Sequence, residues 1–197
     1  MSHHIYTTPG FIVHSSPHGE AGKFFLVFTR DLGMIGATAQ GVRLSQSKLR
    51  YYTQDFSYSL FSFVRGKEVW RMTGAQILES RKQCGIADIE NMKLYVRILS
   101  LLKRLLPGEE KNERLFDVIE EFYLYLCKSV VSKEEKEMVE YLTVLRILNL
   151  LGYIYNKDSF QNILSNSVLG EEIFEEVKIL KESIVKEINN GLKESQL

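Results

Sequence analysis

Short β-rich, apolar or alternating runs follow one another along the first eighty residues, and this pattern predicts β-strands. Turn residues separate the alternating or short apolar runs, most clearly at Asp31-Leu32-Gly33 and Arg65-Gly66-Lys67. Strands are predicted over residues 5–14, 23–30, 34–42, 53–64 and 68–72. Five strands joined by short hairpins, without crossover helices, have the count and spacing of a small OB-type barrel.

The periodicity changes to that of helices after Thr73, which is predicted to cap a short helix over residues 74–82. A Pro-Gly pair ends the first long amphipathic segment, and Ser132 is an N-cap signal for the third. The long helices are predicted over residues 94–106, 115–130, 133–152 and 173–188. The predicted fold class is therefore α+β: a five-stranded OB-type β-barrel over residues 1–80, followed by an all-α helical bundle over residues 81–197.

The composition is that of a globular protein, with 45% hydrophobic and 25% charged residues and a formal net charge of zero. This net charge of zero is the sum of opposite net charges in the two halves of the chain. Residues 1–83 carry ten Lys and Arg against five Asp and Glu, whereas residues 84–197 carry fifteen against twenty. Net charges of +5 and −5 indicate a basic module joined to an acidic one, and the basic module is where a polyanion would bind.

Cys84 and Cys127 are the only cysteines, and each lacks a CxxC partner, which favours reduced, buried thiols over a disulfide. A zinc site that combines them with histidines is the minor alternative. The N-terminus lacks an export signal, and no segment approaches the ~20 apolar residues that a membrane span requires. We therefore expect a soluble, cytoplasmic protein without a membrane partner.

Basic side chains interleaved with aromatic ones are the candidate chemistry of the β-rich half. At strand ends and in loops, charged side chains can follow a nucleic-acid backbone while exposed rings stack on bases, each stack contributing about 1–3 kcal/mol. For any single residue, a solvated surface position is an equally good interpretation. Phe24, Phe25 and Phe28 lie in an apolar run and are assigned to the core. The predicted DNA-binding residues are Arg30, Arg43, Lys48, Arg50, Tyr51, Tyr52, Arg65, Lys67 and Arg71.

Catalytic and metal-binding patterns are weak throughout the sequence. GEAGK at residues 19–23 has the wrong spacing for a phosphate-binding loop, and Phe24 stands where such a loop needs a hydroxyl. The four histidines have no acidic or thiol companions, and paired acids fall at predicted helix starts, where the helix dipole explains them. We expect no enzyme activity, no catalytic residue, no metal site and no cofactor.

Several longer motifs form an ordered series along nearly the whole chain. They are FLVFTRDLGMIGATAQGVR at 25–43, RGKEVWRMTGAQILES at 65–80, LLPGEEKNERLFDVIEEFYLYL at 105–126 and VLRILNLLGY at 144–153, with GE at 19–20, SKL at 47–49 and LKES at 192–195. Each motif alone is weak, whereas the series, above all FTRxxGxI followed by AxGxR, is specific. In this series the chain resembles the RecO family of bacterial DNA repair and recombination mediators.

The resemblance implies an N-terminal OB domain, a C-terminal helical domain and a non-catalytic role in the nucleoid. RecO-like proteins bind single- and double-stranded DNA, promote strand annealing, engage the single-stranded-DNA-binding protein and, with RecR, help to load RecA onto gapped DNA. In the family pattern Gly33 would serve the turn after FTR, Gly36 would let the strand bend, and Gly41 would free Arg43 and Lys48 to face phosphate. The alternatives are an OB-fold adaptor and an RNA-binding protein without annealing activity.

The chain departs from the RecO pattern after LLGY. Many relatives continue there into a segment that often carries a four-cysteine zinc site, whereas this chain runs almost directly into its last predicted helix without a cysteine. The resemblance therefore predicts a short form without the zinc site. It also implies a surface with basic rims on the helical domain for the acidic, apolar tail of the single-stranded-DNA-binding protein. Lys133, Lys136 and Arg146 lie in the matching helix region.

Overall fold

The structure is a computed structural model that describes residues 4–78, 84–128, 131–155, 158–165 and 169–195. The chain divides into two compact units, Met1–Gln83 with Leu106–Glu113, and Cys84–Leu105 with Arg114–Leu197. The predicted boundary between residues 80 and 81 lies outside the described residues and stays a prediction. The segment Leu106–Glu113, which the sequence assigned to the bundle, belongs to the barrel unit.

Over its described residues, the first unit contains five strands and one short helix. They are β1 (Ile5–His18), β2 (Gly22–Thr29), β3 (Gly33–Ala39), α1 (Leu49–Tyr52), β4 (Tyr58–Arg65) and β5 (Trp70–Gln76). The strands close in the order β1-β2-β3-β5-β4, and every neighbouring pair is antiparallel except the parallel pair β3–β5. This closed barrel followed by helices confirms the predicted fold class.

Apolar side chains that alternate with outward-facing ones fill the barrel. Phe25, Val27, Ile35, Phe61 and Phe63 have no exposed surface and belong to one cluster. Burial of each such side chain contributes about 1.5–3 kcal/mol. The alternation also fixes the strand register, because a slip of one residue would turn the whole apolar set toward solvent.

Gly33 follows the β2–β3 turn at a position that only glycine suits. Its φ of +71° is left-handed, and a Cβ on it would lie 2.3 Å from the carbonyl oxygen of Glu110. The Met34 N–H donates to the Gly108 carbonyl at 3.3 Å beside this contact. The predicted turn role of Gly33 is confirmed, and the glycine also makes room for the segment Leu106–Glu113.

Helices are the regular secondary structure of the second unit over its described residues. Its helices are α2 (Ile89–Leu105), α3 (Glu113–Leu126), α4 (Lys133–Leu150), α5 (Gln161–Ser165), α6 (Glu171–Ile179) and α7 (Lys181–Glu194), with a 3₁₀ turn at Asp158–Phe160. Ser132 caps α4 as predicted. Its hydroxyl accepts the Glu135 N–H at 3.2 Å, and the Glu135 carboxylate accepts the Ser132 N–H at 2.7 Å.

Three local predictions of secondary structure are wrong. Thr73 caps no helix, because it lies within β5, where cross-strand pairing with β4 overrides a local capping signal. Residues 79–82 of that predicted helix lie outside the described residues. The predicted helix over 173–188 is two helices that meet at Leu180. The polar segment 43–50, for which no element was predicted, runs into α1.

Cys84 and Cys127 form a disulfide, which corrects the expectation of two reduced thiols. Their Cα atoms are 5.7 Å apart although 43 positions separate them in the chain. Nearby, the Tyr123 hydroxyl donates to the Cys84 carbonyl at 3.3 Å. The sequence argument weighed spacing and compartment, whereas the bond depends on the end of α3 returning to the start of the helical unit.

The described residues contain neither a membrane-spanning helix nor a cluster of metal ligands. Within them, no helix combines the length and apolarity that a membrane crossing requires. In the same residues, no group of three or more His, Cys, Asp or Glu side chains is arranged to hold a metal ion.

Candidate nucleic-acid interface

The connection between β3 and β4, residues 40–57, is anchored at both ends to the barrel. Val42 is buried in the barrel core, with 2% of its surface exposed. The Arg43 N–H donates to the Ala21 carbonyl at 3.0 Å, and the Phe56 N–H donates to the Ile12 carbonyl at 3.1 Å. These contacts hold the residues between them on a defined framework.

Side-chain hydroxyl groups donate hydrogen bonds to backbone carbonyls of the short helix α1, which lies in the middle of this connection. The Thr53 hydroxyl donates to the Leu49 carbonyl at 2.8 Å, and the Ser57 and Ser59 hydroxyls donate to the Tyr52 carbonyl at 3.0 and 3.2 Å. These bonds satisfy carbonyls that one helical turn cannot satisfy itself. The neighbouring Arg50 and Tyr51 side chains are therefore exposed from an ordered turn.

Three cations meet in a groove beside α1, which we call the loop groove. The groove has a volume of about 510 Å³. It brings together Arg43 and Arg50, two of the predicted residues, with Lys23, which the prediction omitted. The other side chains of the lining are Val42, Thr53, Gln54 and Asp55.

Asp55 offsets part of the positive charge of the loop groove. Its Oδ1 lies 4.0 Å from Lys23 Nζ, and it accepts a hydrogen bond from the Ser15 hydroxyl. Arg43 Nη1 donates to the Glu20 carbonyl at 3.2 Å, a neutral acceptor that orients the guanidinium without cancelling its charge. Among the described residues, no carboxylate forms an ion pair with Arg43 or Arg50. The groove therefore keeps a net positive charge.

Tyr51, which follows the groove residue Arg50 on α1, supplies an exposed aromatic surface. Its side chain is 72% exposed, and its ring meets that of the half-buried Tyr52 edge-on at 5.0 Å. Lys48 is exposed immediately before α1. Five of the nine predicted residues, Arg43, Lys48, Arg50, Tyr51 and Tyr52, thus lie on one connection.

The remaining predicted residues occupy two other places. Lys67 is exposed in the turn of the β4–β5 hairpin, and Arg71 is exposed on β5. Arg65, at the end of β4, forms an ion pair with Glu109. Arg30 lies at the β2–β3 turn, where it is half-buried. There the pKa of Glu113 is lowered by a hydrogen bond from Lys111 and, to a smaller extent, by the charge of Arg30.

Phe24 was assigned to the core, but it is only half-buried, on the outer face of the barrel. It pairs with Thr38, which pairs with Arg71, so the three side chains share one face within about 10 Å, two strand spacings. A Cβ on Gly36 would lie 2.9 Å from Phe24 Cζ, so the glycine makes space for the ring. Strict alternation would have found this position, because Phe25 faces inward.

The three predicted partner-binding residues of α4 differ in exposure. Lys133 is exposed, Lys136 donates to Asp88 Oδ1 at 2.9 Å, and Arg146 is only 4% exposed. Arg146 Nη1 lies 3.3 Å from Glu121 Oε2, and its Nε donates to the Ile163 carbonyl at 3.2 Å. Burial lowers the pKa of Arg146 and raises that of Glu121, while their mutual attraction opposes both shifts.

Arg146 also lines a cavity of the helical unit that is about 450 Å³ in volume. Arg114, Asn149 and Leu164 contribute to its wall. The Oδ1 of Asn149 is buried and accepts no hydrogen bond from the described residues. The cavity therefore combines apolar walls with two arginines, the two carboxylates of Asp117 and Glu121, and an unused acceptor.

Comparison with known proteins finds similarity to RecO proteins. Residues 1–81 match the family described as recombination protein O N terminal. The chain is 28% identical over 146 residues to the DNA repair protein RecO of Alkaliphilus metalliredigens, covering 74% of this chain and 56% of that protein. It is 28% identical over 151 residues to the RecO of Dehalococcoides mccartyi, covering 76% and 57%. The chain thus spans about half the length of the curated relatives that it matches.

Proposed function

The barrel of this chain belongs to the family of recombination protein O N-terminal domains, and from this premise we propose that the chain is a DNA repair and recombination mediator. The observation that carries the proposal is the loop groove, where Lys23, Arg43 and Arg50 converge, together with the exposed ring of Tyr51, which follows Arg50 on α1. Cations that track a backbone next to a ring that stacks on bases are the usual means of binding single strands.

The proposed mechanism is neutralisation of phosphate charge. Two complementary strands repel each other through their backbones, and a basic surface that binds both lowers this repulsion and releases counterions. Annealing then proceeds without nucleotide hydrolysis, so the chain needs neither a catalytic residue nor a cofactor. Double-stranded DNA binds through the same cations, because phosphate contacts carry no sequence information.

The proposed partners follow from the family. The acidic, apolar tail of the single-stranded-DNA-binding protein would dock at the cavity of about 450 Å³ in the helical unit, with its apolar side chain against Val118, Leu150 and Leu164 and its carboxylate on the exposed Arg114. Arg146 is already paired with Glu121 and would not contact the tail directly. Lys133, exposed at the start of α4, would attract the acidic residues that precede the tail's end. RecR would then join the complex, which helps to load RecA onto gapped DNA.

Reversal of the groove charges tests DNA binding. We expect Arg43→Glu with Arg50→Glu to weaken binding of a labelled thymidine oligonucleotide at least about tenfold at about 50 mM salt, measured by fluorescence anisotropy. The dependence of log K on log salt should also flatten, by about 0.7 for each phosphate that the variant no longer neutralises. The matched control is Lys103→Glu with Arg104→Glu, the same charge change on an exposed part of α2.

Equal weakening by both double variants would reject the groove as the binding site. If wild-type protein bound no DNA at either low or high salt, the adaptor interpretation would stand instead. Preference for RNA over DNA of matched sequence in a competition assay would favour the RNA-binding alternative.

A further inference from the structure

The Glu109 carboxylate, on the segment Leu106–Glu113, contacts two side chains of the β4–β5 hairpin. One oxygen forms an ion pair with the Arg65 guanidinium, and the other accepts the Trp70 Nε1–H at 3.1 Å. The guanidinium also lies over the Trp70 ring, 4.8 Å from its centroid. We call Arg65, Trp70 and Glu109 the Arg65 cluster. In this cluster the Glu109 carboxylate contacts the Arg65 N–H groups that could otherwise bind another anion.

In the Arg65 cluster the Trp70 ring is fixed by packing, whereas the charged side chains are exposed to solvent. Trp70 packs in the barrel core and against Tyr6, edge-on at 5.2 Å, so the guanidinium rests on a fixed ring. The Arg65 and Glu109 side chains are 56% and 44% exposed. An ion pair at such exposure is screened by water and contributes little to stability. An external anion can therefore compete with Glu109.

The segment that carries Glu109 is held to the barrel by other contacts. Gly108 accepts the Met34 N–H, and the Glu110 backbone lies against Gly33. Lys111 Nζ lies 3.8 Å from Asp31 Oδ1. Because none of these contacts uses the Glu109 side chain, exchange of its carboxylate for another anion is a side-chain movement and leaves the segment in place.

Phosphate is the external anion that fits this position. Arginine binds carboxylate and phosphate with the same planar array of N–H donors. Lys67 and Arg71 are exposed on the same hairpin, and neither has an ion-pair partner among the described residues. A backbone that approaches these two cations brings phosphates toward Arg65, where the resident carboxylate repels them.

On this basis, and given that the chain binds DNA as proposed above, we infer that Glu109 is a built-in competitor of nucleic-acid phosphate at Arg65. A bound strand displaces the carboxylate from the guanidinium. Without a strand, Glu109 neutralises Arg65 and lowers the affinity of the hairpin for polyanions. The contact is therefore autoinhibitory.

Glu109→Gln isolates this contact, because the amide oxygen still accepts the Trp70 N–H while the negative charge is removed. We expect Glu109→Gln to bind a fluorescein-labelled thymidine oligonucleotide about two- to fivefold more tightly than wild type at low salt, the range that one exposed ion pair corresponds to. The matched control is Glu110→Gln, an exposed carboxylate on the next residue. We expect a smaller gain there, because salt screens a charge that makes no direct contact.

Two further measurements link the gain to Arg65 itself. Arg65→Gln with Glu109→Gln should bind no more tightly than Arg65→Gln alone. Trp70 is the only tryptophan of the chain, so its emission reports directly on the cluster. We expect the oligonucleotide to change the Trp70 emission of wild-type protein as the carboxylate leaves.

Equal gains for Glu109→Gln and Glu110→Gln, or a gain that persists without Arg65, would overturn the inference. Neither result would affect the DNA-binding proposal, which is tested at Arg43 and Arg50. Absence of DNA binding by both wild type and Glu109→Gln would overturn both.

Discussion

Cationic side chains have different surroundings in the helical unit and in the connection between β3 and β4. In the helical unit several of them pair with carboxylates of the same unit. The pairs include Arg97 with Glu140 at 2.8 Å, Lys136 with Asp88 at 2.9 Å, Lys178 with Glu134 at 2.5 Å and Lys181 with Glu137 at 2.6 Å. In the connection, Arg43, Lys48 and Arg50 face solvent, and the described residues offer them no ion pair.

This difference teaches more about function than the net charges of the two halves. A charge that pairs within its own unit adds little to the field that a ligand meets, whereas unpaired charges in a concave groove focus it. Like charges held together without partners repel each other, so their retention on an ordered loop favours a functional explanation. The bundle, by contrast, uses covalent and ionic links between its own elements.

The disulfide is the link whose loss should have the largest effect on the bundle. We expect Cys84→Ser with Cys127→Ser to lower the free energy of unfolding by about 4 kcal/mol, since the bond closes a long loop of the unfolded chain. Urea unfolding followed by circular dichroism at the helical band measures the loss, and Trp70 emission follows the barrel separately. An unchanged helical transition, or two free thiols in the unreduced wild type, would contradict the prediction.

The buried pair of Arg146 and Glu121 should come next. Arg146→Ala leaves the partly buried Glu121 carboxylate without its cation and the Ile163 carbonyl without its donor, and we expect a loss of about 3 kcal/mol. Arg43→Ala is the contrasting variant, with an expected change below about 0.5 kcal/mol, because its side chain is exposed and unpaired. Thermal or urea unfolding of both variants decides the point. Similar losses of unfolding free energy in the two variants would show that the cations of the two units contribute equally to stability.

The smallest expected effect is that of pH on the bundle. Hydrogen bonds from Lys181 and Tyr141 hold the pKa of Glu137 below its usual value of 4.5, and the Ser132 hydroxyl and N–H do the same for Glu135. A carboxyl whose pKa is lowered by folding stabilises the folded state above pH 4.5, and this contribution is lost as the pH falls through the folded-state pKa. We therefore expect the urea midpoint of the helical transition to fall below that pH.

Glu137→Gln is the control for this acid effect, because it removes one of the responsible groups and should flatten the pH dependence. Glu121 acts in the opposite sense. Burial raises its pKa, so its contribution favours folding at low pH and declines as the pH rises above 4.5. A midpoint that stays constant, or rises, as the pH falls from 4.5 to about 3 in wild type would contradict this prediction.

Local signals predicted the elements well where they agreed with tertiary pairing. The short apolar run around Phe25 and Val27 gave a barrel strand within one residue at each end, and the Ser132 signal gave the start of α4. At Thr73 the local signal and the strand pairing disagreed, and the pairing prevailed. Strict alternation would have placed Phe24 on the outer face of the barrel, because Phe25 faces inward. Phe24 was assigned to the core instead because the apolar run around it was interpreted as uniformly buried.

The candidate site was predictable only in part. The sequence indicated that Arg43, Lys48 and Arg50 lie together, because they are close in the chain. It could not indicate that Lys23 joins them or that Glu109 covers Arg65, because these residues are 20 and 44 positions from their partners.

By itself, the sequence determined the periodicity of each segment, and with it a five-stranded barrel followed by helices, because these patterns depend on residues a few positions apart. Only the tertiary structure decided which charges are paired, which ring lies at the surface and which thiols are bonded. Those properties depend on distances between residues far apart in the chain, and the free energy of a charge depends on what the fold places within a few ångströms of it.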